Sequence, residues 1–211
     1  MLDRFRAFWT KVFDPVVNAL LRWGVSPDVV TLVGTVGVAA GALVFFPRGD
    51  LLVGVLVITA FVFSDLVDGA MARKSGRTSA FGAFLDSTLD RIGDAAIFAG
   101  LAMYYVGPGD SDAFAALAIY CLTMGSVTSY ARARAESLGM QAKVGIAERA
   151  DRLVSILVVT GLADLFHRLG VDGALWLIPV TLGLLAVAST VTVVQRILVV
   201  RTQAHARAAQ R

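Results

Sequence analysis

The sequence is poor in cysteine, histidine and charge. A lone Cys121 excludes an intramolecular disulfide and a cysteine-rich metal site, and its expected role is that of a small buried apolar residue. His167 and His205 are the two histidines, too few for a histidine-built metal site. Charged residues make up 17% of the 211 positions, against about 25% in a soluble domain. This shortage excludes a disordered chain and an ordinary soluble enzyme.

Apolar residues dominate what remains. They account for 57% of the chain, and the mean hydropathy is +0.73, which together indicate an integral membrane protein. The net charge is +3 and the pI about 9.3, values that are also found in nucleic-acid-binding proteins. Because the basic residues follow a membrane topology, we expect membrane lipids as partners and no nucleic acid.

Six apolar segments are close to the roughly 20 residues that a membrane span requires, and each is bounded by Gly, Pro or polar turn residues. Helices are the expected form, since lipid offers no partners to open backbone groups. The predicted fold is therefore an all-α integral membrane protein, with a six-helix domain over 24–203 and a frayed polar tail over 204–211. The predicted spans are Val29–Phe46, Leu51–Ala72, Phe84–Val106, Ala113–Ala131, Leu153–Phe166 with its flanks, and Ala174–Val200.

The segment before the first span, residues 1–23, repeats apolar residues at steps of three and four with basic residues between them. This spacing predicts an amphipathic juxtamembrane helix in the cytoplasmic interface, or alternatively a cytoplasmic helix packed on protein. All of the 19 Lys and Arg residues except Arg48 and Arg168 fall on one side of the alternating spans. The positive-inside rule then places both termini, and any site at that face, in the cytoplasm of a multi-pass cell-membrane protein.

Four aspartates form two pairs on the second and third spans. Asp65 and Asp68 are three residues apart, and Asp86 and Asp90 are four apart, so each pair shares one helix face. A short turn makes the two spans antiparallel, which allows the pairs to face each other. Clustered carboxylates in a membrane need a cation between them. Oxygen ligands without imidazole or thiolate favour Mg²⁺, with Mn²⁺ or Ca²⁺ as alternatives.

Neighbouring residues favour phosphate chemistry at this cluster. Gly69 and Gly82 place no side chain beside it, which leaves room for a ligand. Arg73 can offer a planar guanidinium to a phosphate. Asp94, one turn beyond Asp90, is interpreted as a supporting or structural group.

The aspartates belong to a longer pattern: Asp, two residues, Asp-Gly, two residues, Ala-Arg, eight residues, Gly, three residues, Asp, three residues, Asp. It is filled here without a departure by Asp65, Asp68, Gly69, Ala72, Arg73, Gly82, Asp86 and Asp90. Through this motif the chain resembles the CDP-alcohol phosphotransferase family, and six spans also agree with that family.

The resemblance implies transfer of a substituted phosphate from a CDP-linked lipid to an alcohol, with release of CMP, by a homodimer. It implies that the four aspartates bind the metal and that Asp90 also deprotonates the acceptor hydroxyl. Residues 28–31 could equally be a helix cap. The set implied to bind the CDP-lipid, called here the donor set, is Asp28, Val29, Val30, Thr31, Gly69, Arg73, Ser79 and Gly82.

Basic residues at the ends of three spans suit an acceptor that carries a phosphate. The stretches Ser-Tyr-x-Arg-Ala-Arg-Ala-Glu and Gly-Ile-x-Glu-Arg-x-x-Arg resemble the bacterial phosphatidylinositol phosphate synthases, a branch of the same family. There the acceptor is myo-inositol 1-phosphate and the donor is CDP-diacylglycerol. Topology or contact with anionic lipid would explain each arginine singly. The predicted acceptor set is Ser129, Arg132, Arg149, Arg152 and Arg196.

These features predict a CDP-diacylglycerol–inositol-phosphate phosphatidyltransferase. One alternative keeps the chemistry and uses glycerol 3-phosphate as acceptor, as a phosphatidylglycerophosphate synthase does. A second alternative is a transporter with an intramembrane carboxylate site. It would need a pathway open to both sides, whereas all four aspartates lie toward one membrane face.

Overall fold

The structure is a computed structural model that describes residues 14–76 and 79–209, without the side chains of Asp65 and Leu66. The described residues contain helices and no strand. Residues 14–22 are helical and are called α1 here. A π-helical turn, Gly41–Phe45, and a 3-10 turn, Phe46–Arg48, extend the next helix, and a 3-10 turn, Ala174–Trp176, precedes the last. The other helices are α2 (Pro27–Ala40), α3 (Leu51–Val62), α4 (Ser64–Ser75), α5 (Ala80–Val106), α6 (Asp112–Ser137), α7 (Arg149–Arg168) and α8 (Leu177–Ala208).

Four helical stretches among the described residues are long and apolar enough to cross a membrane: Pro27–Arg48, Leu51–Ser75, Asp112–Ser137 and Ala174–Ala208. They coincide with four of the predicted spans. The other two predicted spans are α5 and α7, which carry several charged residues each. The six-span count therefore stays a prediction.

The second predicted span is broken into two helices. α3 ends at Val62 and α4 begins at Ser64. The hydroxyl of Ser64 donates to the carbonyl of Phe61 at 2.6 Å. Gly34 on α2 faces this break, and a Cβ there would overlap the Ser64 hydroxyl. The close approach brings α4, which carries the first aspartate pair, against α2.

The core lies between α2, α3, α5, α6, α7 and α8, with α5 packed on α2 and α6, and α8 packed on α6 and α7. At the end of the bundle remote from the aspartates, Asp164 of α7 accepts a hydrogen bond from the backbone amide of Leu52 at 2.8 Å. Arg168 lies 3.1 Å from the same carboxylate. Asp164 thereby caps the start of α3 from another helix.

Both terminal helices, α1 and α8, pack against other parts of the protein. The first 13 residues of the predicted amphipathic helix lie outside the described part. In the described part of α1, Val17 packs with Val67 and Met71 of α4. At the other end, α8 is helical to Ala208 and so continues into the predicted polar tail. Its Arg207 donates to the carbonyl of Leu138 at 3.1 Å, and this contact holds the tail against the α6–α7 loop.

Candidate active site

A first cavity of about 410 Å³ opens among α2, α4, α5 and the first turn of α7. Asp68, Asp86 and Asp90 all line it, so the structure brings together the three motif aspartates whose side chains it describes. The side chain of Asp65 lies outside the described part. The lining residues are Pro27, Asp28, Thr31, Asp68, Gly69, Ala72, Ser79, Gly82, Ala83, Asp86, Asp90 and Arg149.

Asp68 is held by the neighbouring helix. Its side chain is buried, with the residue 7% exposed, and its Oδ2 accepts a 2.6 Å hydrogen bond from the hydroxyl of Thr31. A bond from a neutral donor to a charged acceptor is stronger than one between neutral groups. Thr31 thus fixes the carboxylate and ties α2 to α4.

Five members of the donor set line this cavity: Asp28, Thr31, Gly69, Ser79 and Gly82. Val29, Val30 and Arg73 are not among the described residues that line it. Val29 is largely exposed, and Val30 packs beside the α1–α4 contact. The guanidinium of Arg73 folds back beside Gly69, where its Nη1 lies 3.3 Å from the position a Cβ would take.

The first cavity lies at the capped start of α5 and offers oxygen ligands for a cation. Ser79 caps α5 by accepting from the amide of Gly82 at 2.9 Å. Among the described side chains, no three Asp, Glu, His or Cys residues are grouped closely enough to hold an ion. The chemistry of the cavity still fits one, since its described lining offers aspartate oxygens and neither imidazole nor thiolate.

Arg149, at the start of α7, joins two aspartates of α5. Its Nη2 lies 2.9 Å from Oδ1 of Asp90 and 2.9 Å from Oδ1 of Asp94. Its Nε lies 3.0 and 3.1 Å from the two oxygens of Asp94. One edge of the guanidinium, formed by Nε and Nη2, therefore contacts Asp94, and Nη2 also contacts Asp90.

A second cavity, of about 440 Å³, lies on the other side of Arg149. All five residues of the predicted acceptor set line it, and Arg149 is the one lining residue that it shares with the first cavity among the described residues. The lining residues are Ser87, Arg91, Thr128, Ser129, Arg132, Ala133, Glu136, Glu148, Arg149, Ala150, Arg152 and Arg196.

Two arginines of this cavity are buried without a carboxylate partner. Arg152 and Arg196 are each 3% exposed, and neither forms a salt bridge to any carboxylate in the part of the chain that the structure describes. Arg152 donates to the carbonyl of Ala147 at 3.1 Å. Arg196 donates to the carbonyls of Val144 and Thr128. Glu136 and Glu148 line the same cavity, but neither forms a salt bridge to these two arginines in the described part. Because a buried cation without a direct ion pair is costly, the cavity suits an anionic ligand.

The sequence did not identify Arg91 as a site residue. It was counted only among the basic residues on the cytoplasmic side. In the structure its Nη1 contacts the hydroxyl of Ser129 and its Nη2 lies 3.4 Å from Oδ2 of Asp94. The i,i+3 spacing from Asp94 was the available signal. Arg132, by contrast, lies 3.1 Å from Glu136 on its own helix, and this pair partly neutralises it.

The loop between α6 and α7 is fastened to α8. The hydroxyl of Thr192 accepts from the amides of Ile146 and Ala147 at 3.2 and 3.3 Å. Gln203 exchanges two hydrogen bonds with the backbone of Gln141, at 2.9 and 2.6 Å. These contacts place the start of α7, and with it Arg149, at the junction of the two cavities.

The chain is similar to known proteins in both sequence and structure. The chain is 55% identical over 205 residues to a phosphatidylinositol phosphate synthase of Streptomyces avermitilis, covering 96% of this chain and 84% of the relative. It is 52% identical over 206 residues to a protein of the same name from Cutibacterium acnes, covering 95% and 98%.

Solved structures of a relative have the same fold. The phosphatidylinositol phosphate synthase of Mycobacterium tuberculosis with CDP-DAG bound superposes with a TM-score of 0.82 at 40% identity, covering 90% of this chain and 94% of that one. The same enzyme in complex with manganese and citrate gives 0.80 at 41% identity, covering 89% and 88%. Residues 24–194 match the family of CDP-alcohol phosphatidyltransferases. The chain therefore belongs to the CDP-alcohol phosphatidyltransferase family.

Proposed function

We propose that the protein transfers the phosphatidyl group of CDP-diacylglycerol to myo-inositol 1-phosphate, giving phosphatidylinositol phosphate and CMP. The observation that favours a phosphorylated acceptor is the pair of buried arginines, Arg152 and Arg196, which form no salt bridge to a carboxylate within the described residues and line a cavity next to the aspartates. A phosphate on the acceptor would supply a direct ion-pair partner for both arginines. The names of the relatives and the CDP-DAG bound to the mycobacterial enzyme support the same reaction.

The first cavity would take the nucleotide end of the donor. Asp28, Thr31, Ser79, Gly69 and Gly82 line it and would contact the cytidine and its phosphates. Arg73 would reach the phosphates from beside Gly69, while Val29 and Val30 would contribute backbone at most. Asp65, Asp68, Asp86 and Asp90 would hold Mg²⁺, with Mn²⁺ as the alternative, and the ion would supply neutralisation of the diphosphate charge.

The family resemblance implies that Asp90 is the base of the chemical step, and its position on the wall of the first cavity supports this role. Asp90 takes the proton of the acceptor hydroxyl, and the hydroxyl oxygen then bonds to the phosphorus that carries the diacylglycerol. The bond from that phosphorus to the oxygen of CMP breaks, and CMP leaves. Arg149 lies between the cavities, next to Asp90, where it can contact both reactants.

The second cavity would bind the acceptor. Its phosphate would lie among Arg152, Arg196, Arg149 and Arg132, with the Ser129 hydroxyl as a further donor. All five residues of the predicted acceptor set line this cavity, and their positive charge supports recognition of a phosphate.

The protein would act in the cell membrane as a homodimer. We propose six membrane-spanning helices, with α5 and α7 as the two that carry charges, and an N-terminal helix in the cytoplasmic interface. The distribution of Lys and Arg supports termini and an active site that face the cytoplasm.

The reaction is tested by CMP release from CDP-diacylglycerol by the purified protein, with the lipid product identified. The acceptors compared are myo-inositol 1-phosphate, free myo-inositol, glycerol 3-phosphate and glycerol. We expect inositol phosphate to be used best and free inositol poorly. Preference for glycerol 3-phosphate would replace the acceptor, and absence of CMP release with any acceptor would refute the reaction.

A further inference from the structure

Asp94 lies outside the eight-position motif, and no role in the reaction follows from that motif. Its side chain is 15% exposed. It receives two arginines: Arg149 along one edge, through Nε at 3.0 and 3.1 Å and Nη2 at 2.9 Å, and Arg91 through Nη2 at 3.4 Å. Both arginines line the acceptor cavity.

An edge-on contact with a carboxylate restricts the guanidinium more than a single bond does. Two parallel N–H···O bonds fix the plane of the group as well as its position. Because Nη2 of Arg149 also lies 2.9 Å from Oδ1 of Asp90, the plane set by Asp94 is the one in which Arg149 reaches Asp90. Asp94 itself lines neither the first nor the second cavity as described, so it would act through the arginines.

We propose that Asp94 is a positioning residue for the acceptor. Its carboxylate holds Arg149 at the boundary of the two cavities and draws Arg91 to Ser129, so that the acceptor phosphate binds where its hydroxyl meets Asp90. This proposal rests on the proposed function, since it assigns Arg149 and Arg91 to the site that recognises the phosphate.

The test is steady-state kinetics of the purified protein bearing Asp94→Asn, with donor and acceptor varied separately. We expect the acceptor KM to rise about tenfold or more, the size of a lost charge-assisted hydrogen bond. The donor KM should rise less than the acceptor KM, because Arg149 lines both cavities whereas Arg91 lines only the second. Asp94→Glu, which keeps the charge, should recover part of the loss.

A double-mutant cycle separates positioning from a general loss of structure. If Asp94 acts through Arg149, Asp94→Asn should raise the acceptor KM by less than about threefold in an Arg149→Ala background. Should Arg149→Ala abolish turnover, the same cycle is measured as calorimetric binding of inositol 1-phosphate. The matched control is Asp164→Asn, which breaks the contact of Asp164 with Arg168, about 22 Å along α7 from Arg149. This variant should lower the melting temperature and leave the acceptor KM unchanged.

Several outcomes would overturn the proposal. In Asp94→Asn, the acceptor KM could be unchanged, the donor KM could rise equally, or only the metal concentration required for activity could rise. In the Arg149→Ala background, Asp94→Asn could still raise the acceptor KM by the full factor. The proposed function fails separately, in the wild-type protein, when inositol 1-phosphate is not an acceptor. In that case the Asp94 cycle is run with whichever phosphorylated acceptor is used.

Discussion

The hydroxyl of Thr31 on α2 donates to Oδ2 of Asp68 on α4 over 2.6 Å. The two residues are far apart in the chain, and this bond joins the start of the first span to the aspartate motif. We expect Thr31→Val to lower kcat/KM for the donor about tenfold to a hundredfold, because a bond to a charged group contributes about 1.5–3 kcal/mol. The measurement is initial rate against CDP-diacylglycerol at several Mg²⁺ concentrations.

A neighbouring threonine provides the control for this substitution. Within the described residues, the hydroxyl of Thr35 donates to the carbonyl of Thr31, one turn earlier in the same helix, at 3.0 Å. Thr35→Val should therefore stay near the wild-type rate, and Thr31→Ser should recover most of the loss. Equal losses in both valine variants would mean that the hydroxyl of Thr31 has no special role.

Activity should require a divalent cation. The motif aspartates that line the first cavity motivate this expectation. Excess chelator should abolish CMP release and added Mg²⁺ or Mn²⁺ should restore it, whereas Asp68→Asn should stay inactive at any metal concentration tested. Full turnover in excess chelator would disprove the metal assignment.

Asp90→Asn should lose turnover more than donor binding. Loss of a general base lowers kcat by about a hundredfold or more, while the other three aspartates still hold the metal and the donor. The readouts are kcat and calorimetric binding of CDP-diacylglycerol. Asp112→Asn, at an exposed position in the first turn of α6, serves as the control. A normal kcat with lost donor binding would contradict the role of base.

Arg152→Ala and Arg196→Ala should each raise the acceptor KM by about ten- to a hundredfold, since a charge-assisted bond to phosphate contributes about 1.5–3 kcal/mol. The donor KM should change little. Arg134 is the matched control: it is an exposed arginine of α6 that contacts Ser137 of its own helix. If all three variants behave alike, the arginines serve topology rather than the acceptor.

Gly145→Ala should disturb the acceptor site indirectly, because Gly145 does not line the second cavity as described. Gly145 has φ +142°, and a Cβ there would overlap Cγ2 of Thr192. The strained loop would shift the start of α7, so we expect a lower melting temperature and a higher acceptor KM. Adding Thr192→Ser, which removes Cγ2 and keeps the hydroxyl, should recover part of both. Gly183→Ala, with open space around it, should be near neutral; an equal effect there would contradict this explanation.

The sequence alone determined the class of the protein and the centre of its chemistry. Apolar runs separated by Gly and Pro marked the helices, because a membrane span is a local property of composition and length. The spacing of the motif aspartates placed each pair on one helix face for the same local reason. The same residues indicate the family, and the match over residues 24–194 confirms it.

Only the tertiary structure decided which side chains meet. Val29 and Val30 share a segment with Thr31, yet the rotation of α2 turns them away from the cavity that Thr31 lines. The break between α3 and α4 lies against Gly34 of a different helix, where a Cβ would overlap the hydroxyl of Ser64.

The acceptor cavity shows the same division. Its arginines were recognisable by type, but the contact of Asp94 with Arg149 joins positions on α5 and α7, and Arg196 reaches Val144 because the α6–α7 loop folds onto α8. Such contacts between distant positions depend on how the helices pack against one another, and the pattern of residues along a single helix does not contain that information.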